Sequence, residues 1–298
     1  MIGVNLARSY LFASGTTPHR IERALYAGAD AVILDLEDSV PASAKLAARD
    51  NVATALDRGV PNGVELWVRV NQPPLGDDDV RCVAPFASLT GLVVPKVEDE
   101  GSLCRLVTLL DQLGAPAMVE PMLETAAGLL NASRLVHGRR VRRTHLGEVD
   151  LSADLGAAPG PDDLELLWAR SLLVAHAASA DAPPPVGPVS REFRDLGHFR
   201  ESTQALLRLG FWGRDCIHPS QVGIANEVFS SDPTQLEWAI QVLDALAHAA
   251  HGGKGAAVDI DGRLIDEAVA KLARRVLERS RKPPVTKVEG GVLKNDRL

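Results

Sequence analysis

Residues 117–156, AMVEPMLETAAGLLNASRLVHGRRVRRTHLGEVDLSADLG, decide how the rest of the chain is read. Two short apolar runs each lead into acids. The first reaches Glu120 and Glu124, with Pro121 read as the end of a strand and TAAGLLNA (125–132) as a helix. The second, RTHL (143–146), leads into Gly147, Glu148 and Asp150. Acids just past the ends of adjacent parallel strands converge at one mouth of an α/β sheet or barrel. A hard divalent cation wants oxygen ligands of this kind, and Mg²⁺ usually takes one or two carboxylates plus water and substrate. Taken singly, each acid could equally be the charge that favours the positive end of a helix dipole. Glu124 and Asp150 together, on consecutive strand ends, read as a metal pair ahead of two helix-end charges.

Outward from this stretch, short apolar runs alternate with longer helical patterns, the signature of a parallel α/β architecture. Eight candidate strands are SYLFA (9–13), AVILDL (31–36), ELWVRV (65–70), GLVVP (91–95), AMVE (117–120), RTHL (143–146), PVGPV (185–189) and CIH (216–218). The seventh is the weakest, because prolines are poor strand residues. Eight strand–helix units in about 250 residues is the count of a (β/α)8 TIM-type barrel. A doubly wound open sheet would carry a Gly-rich nucleotide loop after its first strand, and SGTTPHR (14–20) is not one. The expected organisation is a barrel over residues 1–251, a C-terminal extension over 252–281 and a disordered tail over 282–298. PTQLEWAIQVLDALAHAAH (233–251) reads as the last barrel helix, HGGKGAA (251–257) as a hinge, VDIDGRLID (258–266) as a segment with an Asp-Gly turn, and EAVAKLARRVLERS (267–280) as a further helix.

Composition narrows the class. Of 298 residues, 46% are hydrophobic and 24% charged, with a net charge of −7 and a pI near 5.6. That balance suits a soluble globular protein and argues against binding nucleic acid or an anionic membrane. Cys82, Cys104 and Cys216 form no close pair and no zinc spacing, which fits a reducing compartment. No apolar run is long enough to span a membrane, and MIGVNLARSYLF lacks the parts of a signal peptide. The expectation is a cytoplasmic protein acting on a small molecule.

Other residues carry chemistry. The second candidate strand ends LDLED, which crowds Asp35, Glu37 and Asp38 into four positions and should raise at least one of their pKa values. Arg69 lies among valines at a strand end and needs an anionic partner, either a substrate carboxylate or one of the LDLED acids. Lys96, in VVPKVE, reads as a polar strand-end residue rather than a Schiff-base lysine, because an acid-rich mouth raises its pKa. His145 and His218 have no metal-ligand spacing and read as hydrogen-bonded structural histidines. Cys216 reads as core, and four scattered tryptophans form no base-stacking platform.

Taken together, these stretches resemble the HpcH/HpaI aldolase and citrate lyase β-subunit family. The most specific segment is GADAVILDLEDSVP (28–41) followed by KLAAR (45–49). RSYLFASG, LWVRVN, LVVPKVE, VEPMLETAAGLLNA, LGEVDLSADLG and GFWGRDCIHPSQV keep the family's order and spacing over nearly the whole chain. The resemblance implies a TIM-type barrel that uses Mg²⁺, or Mn²⁺ in its place, to cleave or form carbon–carbon bonds beside a carboxylate or thioester. By position, Glu124 and Asp150 resemble the metal ligands. Arg69 resembles the arginine that holds the substrate carboxylate, and Glu37 and Asp38 the acids beside the metal's water shell. GKGAAVDIDGRLIDEAV (253–269) resembles the lid of malyl-CoA and citramalyl-CoA lyase-like members, where an aspartate in the position of Asp266 reaches a neighbouring subunit's site and acts in proton transfer.

The implied protein is a free-standing lyase of hydroxyacyl-CoA esters or related 2-oxo acids, assembled as a homo-oligomer, a trimer or hexamer. ASGTT (13–17) stands where the family usually has a valine-proline-glycine loop, and Gly187 where relatives often carry an acid. The competing readings are an aldolase on free 4-hydroxy-2-oxo-diacids and a non-catalytic acyl-CoA-binding subunit of a complex.

Overall fold

In the computed structural model the described residues are 6–60, 63–252, 255–258 and 262–280. They divide into two compact units, residues 7–225 and the described residues from 226 onward with Leu6. Helix 233–251 therefore belongs to the same unit as the segment after it, and the division falls before that helix. Part of the hinge, part of the Asp-Gly turn and the tail from 282 lie outside the described residues.

The first unit is built on seven parallel strands: β1 (Ser9–Ser14), β2 (Ala31–Asp35), β3 (Glu65–Arg69), β4 (Gly91–Val94), β5 (Met118–Leu123), β6 (His145–Leu146) and β7 (Arg214–Cys216). Their order is β6-β5-β4-β3-β2-β1-β7. Two residues close the ring. Val186 N–H donates to Thr144 O at 2.9 Å and Leu146 N–H to Val186 O at 3.2 Å. On the other side, Gly187 N–H donates to Gly213 O at 2.8 Å and Asp215 N–H to Gly187 O at 2.9 Å. The expected seventh strand is thus reduced to isolated bridges between β6 and β7. Pro185 and Pro188, which have no N–H to donate, bound it on either side. The fold is a (β/α)8 TIM-type barrel with one vestigial strand.

Three strand expectations change. β5 runs through Pro121 to Leu123 rather than stopping at Glu120. Val119 N–H donates to Arg140 O at 2.9 Å, so the nitrogen two residues on faces the same neighbour. There, residues 142–144 form no strand, and a missing donor breaks no ladder. The strand expected at 143–146 shrinks to His145–Leu146. The last strand lies at 214–216, so Ile217 and His218 fall beyond its end.

Alternate residues face inward. Tyr10, Ile33, Trp67, Val93, Met122 and Val186, each from a different strand or bridge, pack as one cluster. Their chain neighbours Leu11, Val32, Leu34, Leu66, Val68 and Leu92 are also buried, as expected of strands covered on both faces. Trp67 fits inside because Gly91 opposes it. A Cβ at Gly91 would lie 2.4 Å from the indole.

A charged layer sits within this interior. His145 Nε2 is 2.9 Å from Glu120 Oε2 and its Nδ1 is 3.0 Å from Asp215 Oδ2. Tyr10 OH donates to Glu120 Oε1 at 3.1 Å, and its ring meets the imidazole edge-on. Burial works against an imidazolium here, but Asp215, then Glu120, outweighs it and lifts the His145 pKa to about 9. His145 is therefore a structural histidine, as the sequence implies, and Glu120 is its counter-ion inside the barrel rather than a residue of the mouth.

The second unit has its own core. Ala239 and Val242 of helix 233–251 pack with Ile265, Ala273 and Val276. A short antiparallel pair, β8 (Ala257–Val258) and β9 (Leu264–Ile265), leads into helix 267–280. Asp232 caps helix 233–251 by accepting from Gln235 N–H at 2.8 Å, with Pro233 in its first turn. Among the described residues no helix is long and apolar enough to cross a membrane.

The His145 cluster has a pH signature. Its folded-state pKa lies above the ordinary value of 6.5, so its stabilisation is complete below pH 6.5 and is lost as pH rises through about 9. The span corresponds to at most about 3 kcal/mol. His145→Gln is expected to be less stable than wild type at pH 6.5, with the gap closing toward pH 9.5 in denaturant titrations. A gap constant over that range means a neutral imidazole throughout.

Candidate active site

Register sets the first contact. Asp35 and Arg69 are the last residues of β2 and β3 and pair directly across the sheet. Arg69 Nε and Nη2 donate to the two Asp35 oxygens at 2.6 and 2.7 Å, a bidentate fork. Burial alone would raise the Asp35 pKa, but Arg69 holds it below the usual carboxylate value. The same carboxylate accepts Glu37 N–H at 3.0 Å and Ser39 N–H at 3.1 Å, so it also folds the loop that follows. Lys45 braces that loop from below, donating to Leu36 O at 2.7 Å, Glu37 O at 2.6 Å and Asn71 Oδ1 at 2.6 Å.

That loop presents Glu37 and Asp38. Arg69 Nη1 is 3.2 Å from Glu37 Oε2 and 3.8 Å from Asp38 Oδ2. The Glu37 pKa is raised, first by burial and in part by Asp38, against the pull of Arg69.

Glu124 follows directly on β5 and is only 1% exposed. Its Oε1 accepts the Lys96 main-chain N–H at 2.9 Å. Burial, then the nearby Asp150 charge, pushes its pKa up to about 7. Asp150 lies in the first turn of helix 148–155, with its side chain partly exposed. Gly147, between β6 and that helix, makes the approach possible. A Cβ there would sit 2.5 Å from both Glu124 Cβ and Oε2. Lys96 completes the rim, its Nζ 3.0 Å from Glu37, 3.5 Å from Asp150 and 4.0 Å from Asp38. Its pKa is raised, as the sequence implies, with Glu37 the first cause to outweigh burial.

Above these groups opens a cavity of about 850 Å³. Its walls include Asp35, Asp38, Arg69, Glu124 and Asp150, together with Arg20, Arg23, Phe193 and His218. His218 is exposed at this mouth, hydrogen-bonded to Ser220 and stacked on Phe193 at 5.1 Å.

The structure thus brings five of the six sequence-predicted residues together: Glu37, Asp38, Arg69, Glu124 and Asp150. Asp266 belongs to the other compact unit, where its Oδ1 accepts Val269 N–H at 3.0 Å and caps helix 267–280. Sequence reasoning passed over Asp35 as an organiser and over Lys45 and Lys96 as braces. The strand-end level shared by Asp35 and Arg69 was the available signal. For Lys96 no spacing rule announces a left-handed residue with φ 52°.

The donor chemistry fits a hard divalent cation. Glu124 and Asp150 offer oxygen alone, and among the described residues no group of three or more His, Cys, Asp or Glu side chains forms a metal cage. Two carboxylates leave room for water and substrate, as Mg²⁺ prefers. The strained ionisation of Glu124 is the condition a cation would relieve.

Comparison with known proteins adds the ancestry. Residues 8–219 match the model of the HpcH/HpaI aldolase/citrate lyase family. The chain belongs to that family. It is 36% identical over 279 residues to a citrate lyase subunit beta-like protein of Deinococcus radiodurans, covering 91% of this chain and 96% of that protein. It is 32% identical over 275 residues to a (3S)-malyl-CoA thioesterase of Cereibacter sphaeroides, covering 92% and 94%. Among solved structures it superposes on protein CitE from Mycobacterium tuberculosis, in complex with magnesium, acetoacetate and coenzyme A. The TM-score is 0.74 at 26% identity, over 92% of this chain and 98% of that one. Family members are lyases or thioesterases that act on CoA esters.

Gly147 offers a test of this geometry. Gly147→Ala forces a methyl group against the Glu124 side chain. We expect a loss of about 1–3 kcal/mol in urea unfolding, the usual scale of overpacking. Unchanged stability means that the β6 end can slide away from Glu124.

Proposed function

We propose that the chain is a divalent-metal-dependent carbon–carbon lyase acting on a hydroxyacyl-CoA ester of the malyl, citramalyl or citryl type. The convergence of buried Glu124 with Asp150 on the rim that also holds Arg69 carries this reading. Glu124 and Asp150 would hold Mg²⁺, or Mn²⁺ in its place. A bound cation supplies Lewis-acid stabilisation of negative charge on substrate oxygen.

The remaining roles belong to the chain. Arg69 faces the cavity with its plane fixed by Asp35, which suits it to orient a substrate carboxylate. In the cleavage direction a base takes the hydroxyl proton, and Glu37 and Asp38 are the acids beside the reacting group. The carbon–carbon bond breaks to release an oxo acid and a thioester enolate, which must then be protonated. Asp266 of a neighbouring subunit in a homo-oligomer is our candidate acid for that step. A second reading, thioester hydrolysis at the same rim, is favoured by the likeness to the Cereibacter thioesterase.

A substrate panel separates these. Malyl-, citramalyl- and citryl-CoA are to be incubated with and without Mg²⁺ or Mn²⁺. A lyase yields glyoxylate, pyruvate or oxaloacetate with an acyl-CoA; a thioesterase yields free CoA thiol and no oxo acid. Turnover of free 4-hydroxy-2-oxo-diacids alone moves the reading to an aldolase, and no turnover at all moves it to a binding subunit. We expect Asp150→Ala to lose about a hundredfold or more in kcat/KM, about 2.7 kcal/mol. It should also lose the rise in Tm that Mg²⁺ gives the wild type. Equal stabilisation of both proteins removes Asp150 from the metal site.

The shared site has its own test. Asp266→Asn and Asp150→Asn should each be folded and nearly inactive. Co-assembled in one oligomer, an intact barrel meets an intact lid and part of the activity returns. Verified hetero-oligomers as inactive as their parents leave Asp266 as a helix cap alone.

A further inference from the structure

Lys96 touches both candidate metal ligands with two different groups. Its main-chain N–H donates to Glu124 at 2.9 Å, while its ammonium reaches Asp150 at 3.5 Å and Glu37 at 3.0 Å. The backbone adopts φ 52°, a conformation that L side chains avoid and that surrounding contacts must enforce. One strained residue thereby ties the end of β4 to acids from three other elements.

Lys96 and Arg69 stand among the same acids but differ in freedom. The Arg69 side chain is 11% exposed and held in a fork by Asp35. The Lys96 side chain is 35% exposed, and its charge sits on a flexible stem without a bidentate partner. Of the two, the ammonium is the cation that can withdraw. It lies 3.5 Å from the Asp150 carboxylate that a divalent cation would need.

We infer that Lys96 is a tethered counter-ion that competes with the divalent cation for Asp150 and so sets the metal affinity of the site. This rests on the metal site proposed at Glu124 and Asp150. A residue that only braced the rim would have the opposite effect when removed, because the carboxylates would splay apart and bind metal less well. Competition and bracing therefore differ in sign. The Coulomb attraction regained by removing one unit charge a few ångströms from a divalent cation is worth about tenfold or more in affinity, even with solvent screening.

The test is calorimetric titration of the substrate-free protein with Mg²⁺ and with Mn²⁺, checked by Mn²⁺ electron paramagnetic resonance. Lys96→Met keeps the stem and removes the charge; Lys96→Arg keeps the charge. We expect Lys96→Met to bind both ions about tenfold or more tightly than wild type, and Lys96→Arg to bind no more tightly than wild type. Asp150→Ala should abolish binding in either background. If Lys96→Met does not fold by circular dichroism, Lys96→Gln is titrated in its place with the same expectation. Asp150-dependent binding that is unchanged or weaker in the neutral variants overturns the competition while leaving the metal site in place. If neither wild type nor the neutral variants take up metal through Asp150, the metal site itself falls and this inference falls with it.

Discussion

The Asp35–Arg69 fork is the contact on which the mouth of the barrel depends. It joins the ends of two neighbouring strands at the same level of the register. From the outer side of Asp35 the next loop takes its shape through the Glu37 and Ser39 amides. From Arg69 the positive charge reaches Glu37 and Asp38. A pair this dry is a poor means of gaining stability, because desolvation consumes most of the Coulomb attraction. Its value lies in geometry. A guanidinium held by two bonds keeps a fixed plane, and a loop hung on the same carboxylate keeps its acids at fixed distances from it.

A second charged cluster sits deeper, where His145 joins Glu120 to Asp215. The two clusters share a strategy, in which each buried acid meets a cation or several N–H donors. They differ in what is left over. In the deeper cluster the net effect on Glu120 is a lowered pKa, so its ionised form is well supported. At the mouth the burial of Glu124 is not fully compensated, and its pKa rises to about 7. A carboxylate left under-compensated in a cavity wall is a candidate for function, whereas a fully compensated one in the core reads as structural.

Much of this was legible in the sequence because it follows from periodicity. The apolar runs gave the strands, and acids at their ends gave a common mouth, since parallel strands finish on one side. The strand ends alone place Glu124 and Asp150 at that mouth. Glu120 misled because Pro121 looked like a strand end, whereas the proline nitrogen faces a stretch without ladder bonds and the strand runs on. The closing segment at 186–187 was weak in the sequence for the same reason that it is short in the fold: its flanking prolines cannot donate. Asp35 was visible as an acid but not as an organiser, because its side-chain partner Arg69 lies 34 residues on and its other partners are main-chain amides. Lys96 was visible as a charge, but its direction depends on a left-handed backbone that no side-chain pattern encodes. The grouping of helix 233–251 with helix 267–280 escaped for another reason. Its apolar face fits a barrel helix and a helix pair equally well, and only the tertiary partners Ala239, Val242, Ala273 and Val276 decide it.

The charge at the rim constrains any substrate. Asp35, Glu37, Asp38, Glu124 and Asp150 stand around Arg69 and Lys96, with Arg20 and Arg23 on the wall of the same cavity, so the five acids only narrowly outnumber the four cations. An anionic acyl group of the kind proposed above would meet these carboxylates beside Arg69, and added positive charge would favour its entry. Withdrawal of the Lys96 ammonium from Asp150 makes that imbalance larger, not smaller. Under the function proposed above, a divalent cation at Glu124 and Asp150 would favour an anion beside it, and the two ligands would then favour each other's binding by the same factor. An arginine in the place of Lys96 would hold its charge on the rim in a fork, as Arg69 does, whereas a lysine on a flexible stem can give way to an incoming cation.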